Sequence, residues 1–327
     1  MKKQSDHGSL RRMKAFSRII WWCILCTYLV ILAGAVVRGT GSGLGCPDWP
    51  QCFGQWIPPT DISELPANYK DLYKIAGKTI ADFDPFKTWT EYINRLLGVV
   101  LGFLIIILFG FSFAAKRFEK NLPWFCGGLL FLVIVQGGIG ALVVSTHLKP
   151  FLITIHMFLA VVLLFGLLYL KKYCDDLSNT SLVAKTDPKA LFITRVLIGL
   201  TFFQVLLGTQ VRQQVDHYMR DTMEATSATI ISFLGTIFFI HRSFSLIIVG
   251  LFIYLLLYFH NSRYNRGGFF LTLMAFLCVL GNVGTGMTLN YFEFPASAQP
   301  PHLFLGVLTL GLLYSLSLNL RGTLLDD

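Results

Sequence analysis

Seven histidines occur in the chain, and their positions divide them. His7 lies in a basic N-terminal tail, His147 and His217 in polar connections and His260 at the end of an apolar run, so these four read as solvated or interfacial. His156, His241 and His302 sit within or at the head of apolar runs, where an imidazole is costly unless it is hydrogen-bonded or ligating. For a single such histidine a packing role is an adequate reading. Spacing argues for more. Adding 146 to His156, in "TIHMFLA", gives His302, in "PPHLFLG", and the same offset relates Gln136, Gly138 and Gly140 to Asn282, Gly284 and Gly286. His241 and His302 then fall near the same ends of alternate helices of one half-chain, where a helical bundle can hold a flat cofactor. Two neutral imidazoles across such a gap are the ligand set of a bis-histidine heme.

The repeat extends to charged residues. "YINRLLGVV" aligns with "FIHRSFSLI", which sets Asn94 opposite His241 (241 − 94 = 147) and Arg95 opposite Arg242. "GAVVR" ends at Arg38 and "GTQVR" at Arg212, an offset of 174 that reflects a longer connection in the first half. Four arginines at helix ends could grip heme propionates in a bidentate way, against the plainer reading that they snorkel to the membrane interface. Glu91 is different, because its repeat partner is Phe238: the acid exists in one half only. Glu91, Asn94 and Arg95 are three to four residues apart and so share a helix face. They are expected to look into a bundle, at a porphyrin edge. Cys46 and Cys52, in "GCPDWPQC", lie in an outward connection stiffened by two prolines. A disulfide is favoured there over a metal site or two free thiols.

The elements that position these groups are membrane helices. Of the 327 residues 54% are hydrophobic and 14% charged, and the mean hydropathy is +0.62, too apolar for an ordinary soluble domain. Eight runs are long enough to cross a hydrocarbon core, near 19–38, 91–115, 122–144, 151–170, 191–211, 241–260, 269–290 and 302–320. The apolar stretch 228–240 either extends the sixth helix or precedes it as a short interfacial helix. Lys and Arg concentrate in the tail and the even-to-odd connections, which places both termini in the cytoplasm. The net charge of +9 is thereby explained as topology and contact with anionic lipid, and no nucleic-acid partner is needed. The tail lacks a small-residue cleavage site, so the first helix reads as retained.

The expected organisation is a basic tail (1–18), a four-helix half (19–170) with the outward loop 39–90, a linker (171–190), a second four-helix half (191–320) and a short tail (321–327). Four crossings return the chain to its starting side, so the halves share one orientation about an axis along the membrane normal. The fold class is an all-α integral membrane protein of two pseudo-symmetric four-helix bundles.

With these residues in view, the chain resembles the heme A synthase family. The resemblance rests on "GAVVRGTGSGLGCPDWPQC", the acid-x-x-x-Arg element at 91–95, "HR" at 241–242, and His156 and His302. It implies oxidation of the C8 methyl of heme O to the formyl group of heme A, for cytochrome oxidase biogenesis. It implies heme b on His241 and His302, substrate heme O on His156 in the first half, Glu91 as the acid near the chemistry, and Cys46–Cys52 in heme handling or as a staple. It also implies the bacterial cytoplasmic membrane, with heme O synthase and oxidase assembly factors as partners, and leaves self-association into a homo-oligomer open. Asn94 departs from the pattern, which has histidine there. An amide oxygen is a weak iron ligand, so the substrate iron either rests on His156 alone with one face open or takes a second ligand from elsewhere. A third outcome is that the first half has lost activity, against which the retained Glu91, Arg95 and His156 argue. An alternative, a di-heme b electron-transfer subunit linked to quinone, would use the same histidines but has less reason for an acid in one half. A heme-free transporter fits less well, because the polar residues cluster at helix ends and not at mid-membrane.

Overall fold

The computed structural model describes residues 2–115, 119–178, 187–221, 227–261 and 266–321. Its elements are α1 (Lys2–Gly39), a single turn α2 (Tyr69–Leu72), α3 (Pro85–Ala115), α4 (Leu122–Ser145), α5 (Pro150–Ser178), α6 (Pro188–Asp221), α7 (Ser227–Asn261), α8 (Arg266–Tyr291) and α9 (Gln299–Leu320). Among the described residues no strand forms, and eight of these helices are long and apolar enough to span a membrane. Proline opens α3, α5 and α6 and stands second in α4 and α9. There its missing N–H is one the first helical turn leaves unpaired in any case. Large apolar side chains cover the outside of the spans, Trp124 being 85% exposed and Phe151 74%, as helices facing lipid require.

The chain divides into two compact units, Met1–Lys171 and Lys172–Asp327. In the first, α1 packs on α3 and α3 on α4. α4 meets α5 through the tilted ring contact of Phe125 and Tyr169 and a hydrogen bond from Gln136 to the His156 carbonyl. In the second, α6, α7, α8 and α9 form a closed ring of neighbours, α9 returning to α6. Leu197, Phe252, Leu255, Ala275, Leu313 and Leu316 fill one end of that bundle. At the other end Val211, Val215, Ile230, Leu234, Phe238 and Phe294 make a separate apolar cluster. His241 and His302 lie between the two clusters along their helices.

Two elements differ from the expected boundaries. α6 continues to Asp221, so His217 belongs to a helix and not to a loop. Helix α7 begins at Ser227 but is broken at Gly235, whose backbone (φ 55°, ψ −141°) is one that glycine adopts without steric cost. The stretch 228–240 is therefore two helical pieces joined at a kink, and Ile230 and Leu234 of the first piece are tucked into the outer cluster.

The connection between α1 and α3 is a small structure of its own. Cys46 and Cys52 are joined, with S–S 2.04 Å and Cα–Cα 4.8 Å, which decides between the readings of that pair. Both sulfurs' residues are fully buried, with Phe53, Leu65 and Tyr69, against Tyr73, Ile80, Phe83 and Tyr92. The Asp48 carboxylate accepts from the N–H groups of Phe53 (2.6 Å) and Gly54 (2.8 Å) and closes the turn after the ring.

Candidate functional site

In the second unit the imidazoles of His241 (α7) and His302 (α9) are neighbours, edge to face, with ring centres 6.3 Å apart and planes at 69°. Two metal–imidazole bonds of about 2 Å, with about 1.1 Å from each nitrogen to its ring centre, require a separation of about 6.2 Å. The ring separation is compatible with one metal ion between them. Each abuts a glycine on the neighbouring helix: a Cβ at Gly208 would lie 3.1 Å from His241 Cε1, and one at Gly286 3.2 Å from His302 Cε1. Larger residues at either place would press on the ring and turn it.

Hydrogen bonds set the state of one ring. His302 Nδ1 is 3.0 Å from the Asn282 carbonyl and 3.1 Å from Thr285 Oγ1. A carbonyl only accepts, so Nδ1 carries the proton and Nε2 keeps its lone pair, the tautomer a metal ligand needs. His241 Nδ1 is buried without a hydrogen-bond partner. The carbonyls of both residues are held by amides from adjacent helices, Gln204 to His241 (2.8 Å) and Asn282 to His302 (3.1 Å). These residues fit a bis-histidine heme.

The first unit repeats half of this arrangement. Gln136 donates to the His156 carbonyl (3.0 Å), His156 Nδ1 is buried and unpartnered, and a Cβ at Gly140 would meet His156 Cε1 at 3.6 Å. Asn94 occupies the place of His241: Gly34, the repeat of Gly208, lies beside it, with a would-be Cβ 3.8 Å from Asn94 Oδ1. That oxygen is buried and accepts no hydrogen bond. The helper amide is missing too, since Val30 stands where the repeat would put a counterpart of Gln204.

Glu91 and Arg95 are turned toward the disulfide ring. Arg95 Nη2 (2.6 Å) and Nε (3.2 Å) donate to Glu91 Oε1, and the Cys46 N–H donates to Glu91 Oε2 at 3.0 Å. Arg95 Nη1 also donates to the carbonyls of Asp48 (2.7 Å) and Gln51 (2.9 Å), and Nη2 to that of Cys46 (3.1 Å). Glu91 is 3% exposed. In the second unit the same i,i+4 register carries no acid, and the exposed Arg242 lies over the rings of Phe238 (5.9 Å) and Phe239 (5.3 Å). Arg212 pairs with Asp216 at 2.7 Å and keeps a buried Nε without a partner. Arg38, at the last turn of α1, is half-buried.

The contacts of the ring carbonyls of Cys46, Asp48 and Gln51 with Arg95, and of glycines 208 and 286 with the imidazoles, are features that residue chemistry alone did not point to. The signal for the glycines was present, because Gly34 and Gly208 share the 174 offset and Gly140 and Gly286 the 146 offset. No signal existed for the carbonyls. Among the described residues no three His, Cys, Asp or Glu side chains converge on a point.

Residues 17–314 match the profile of a family described as COX15-CtaA, cytochrome oxidase assembly protein. A protein from Shewanella oneidensis named heme A synthase is 34% identical over 186 residues, 56% of this chain and 52% of the relative. One of the same name from Nitrosomonas eutropha is 30% identical over 207 residues, 57% of each chain. The chain thus spans just over half the length of the curated relatives it matches.

Proposed function

The chain belongs to the COX15-CtaA family of multi-pass membrane proteins, and from that premise we propose that it is a heme A synthase. In this reading the C8 methyl of heme O is hydroxylated twice, each hydroxylation a two-electron oxidation of the carbon that consumes an external oxidant such as dioxygen, and the resulting geminal diol loses water to leave the formyl group. The observation that carries it is the contrast between the units. One holds a complete histidine pair, and the other the same framework with a single imidazole, His156, and an unfilled amide oxygen, Asn94 Oδ1.

His241 and His302 would hold heme b, which when bound supplies one-electron redox chemistry. Arg212, whose buried Nε has no hydrogen-bond partner, would bind a propionate of that heme. In the first unit His156 would hold the substrate heme O, and Asn94, whose amide oxygen is a weak ligand, would not compete with it for the iron. The apolar helices around it exclude bulk water and position the methyl. Glu91, whose carboxylate is held by Arg95 and the Cys46 N–H, would carry a proton at the rim of this unit. The cytoplasmic membrane of a bacterium, inward-facing termini, a heme O synthase as supplier and oxidase assembly factors as recipients belong to the same proposal.

Pigment extraction tests it. The full chain is co-expressed with a heme O synthase in cells that lack heme A. Heme A appearing only with this chain present supports the reading, and unchanged heme O with heme b overturns it in favour of a di-heme electron-transfer subunit.

A further inference from the structure

Arg95 carries five N–H donors, and all five are in use. Two go to Glu91 Oε1 and three to the carbonyls of Cys46, Asp48 and Gln51. Those three carbonyls lie on the ring that the Cys46–Cys52 bond closes. A propionate arriving at Arg95 would have to displace one of them. Glu91 is tied to the same ring from its other oxygen, through the Cys46 N–H. Thr88, one turn earlier on α3, adds a hydrogen bond from Oγ1 to the Gly45 carbonyl at 2.9 Å. The ring, the guanidinium and the carboxylate are therefore one hydrogen-bonded body seated on the first turns of α3.

The second unit shows what an arginine at this position does without such a body: Arg242 is exposed and rests on phenylalanine rings. Ring, acid and saturated arginine occur together in the unit assigned the chemistry and are absent together from the other. Saturated, buried charge networks are costly to break at any one member, which makes them suited to fixing geometry.

We infer that Arg95 is a positioning residue: it locks the disulfide ring onto α3 and, through the ring, fixes where the Glu91 carboxylate points. This rests on the proposed role of Glu91 in heme A formation. Replacing the guanidinium by an ammonium keeps the charge but offers three donors from one atom, which cannot reach three separated carbonyls and the acid together.

The test uses full-length Arg95→Lys protein in nanodiscs, with its free cysteines blocked by N-ethylmaleimide beforehand. A water-soluble phosphine is then added, and labelling of Cys46 and Cys52 with a second maleimide is timed. We expect labelling at least about tenfold faster than in the parent chain, an unchanged heme b spectrum, and a fall in kcat for heme A formation with KM for heme O unchanged. Unchanged labelling with a raised KM would mean that Arg95 binds the substrate's propionate, and would overturn the inference. Should Arg95→Lys fail to accumulate, Thr88→Val removes one anchor only. Its labelling is expected to quicken several-fold, and a rate equal to the parent's counts against the lock. The labelling arm needs no turnover, so absence of heme A from the parent chain would sink the functional reading while leaving this inference to be judged on its own.

Discussion

Gly45→Ala is the most severe single-atom perturbation of the ring's seat. A Cβ at Gly45 would lie 2.4 Å from the Lys87 carbonyl oxygen, 2.6 Å from its carbon and 2.8 Å from Thr88 N, all backbone of α3, which cannot rotate away. Reaching ordinary contact at 3.4 Å means moving the ring outward by about 1 Å. Three hydrogen bonds cross that gap: Thr88 Oγ1 to Gly45 O (2.9 Å), Cys46 N to Glu91 Oε2 (3.0 Å) and Arg95 Nη2 to Cys46 O (3.1 Å). An added ångström puts each beyond hydrogen-bonding distance. One bond is neutral and two involve charge, so losing all three outright would cost on the order of 3–7 kcal/mol. Local backbone strain is the cheaper response, at about 1–3 kcal/mol. The ring's open population should then rise about 5- to 150-fold, at 1.36 kcal/mol per decade. Amide hydrogen exchange of the peptide that contains Cys46, Phe53 and Gly54, followed by mass spectrometry on the full chain in nanodiscs, reads that population. Exchange unchanged within about twofold would refute the claim that the ring is seated on α3 by this close approach.

Glu91→Gln should leave the heme b spectrum as in the parent chain and block heme A formation by at least about 100-fold, the scale of a lost acid–base group; full activity in this variant would remove Glu91 from the mechanism. Asn94→His restores an imidazole opposite His156, so the substrate-loaded first unit should shift toward a low-spin spectrum while heme A formation falls. A spectrum that does not move with heme O bound would show that position 94 does not face the substrate iron. Gly286→Val should turn the His302 ring and lower heme b occupancy, measured by pyridine hemochrome per chain. Occupancy equal to the parent's would mean the 3.2 Å approach to His302 Cε1 is absorbed without cost.

The helices and the histidine pair were legible because both are written in periodic, local terms. Eight apolar runs set the spans, and the 146 and 147 offsets brought His156, His241, His302 and Asn94 to equivalent places. The disulfide was legible from compartment and spacing, and it is formed. The surroundings of Glu91 and Arg95 were not. A shared helix face correctly groups them, but it does not say what the face meets. Here it meets backbone carbonyls of Cys46, Asp48 and Gln51, more than 40 residues earlier in the chain. Backbone groups carry no residue-type signature, so tertiary contacts made to them are invisible to pattern reading. The kink at Gly235 had a weak local signal, one glycine inside "ISFLGTIFF", and glycine alone does not distinguish a helix interior from a break.

Heme b spectroscopy of the purified protein, as the parent chain and as His241→Ala and His302→Ala, tests the central claim most directly. A low-spin, bis-imidazole heme b signal is expected in the parent chain, and its loss in each variant. A parent chain without a Soret band, or either variant retaining that signal at full occupancy, would contradict it.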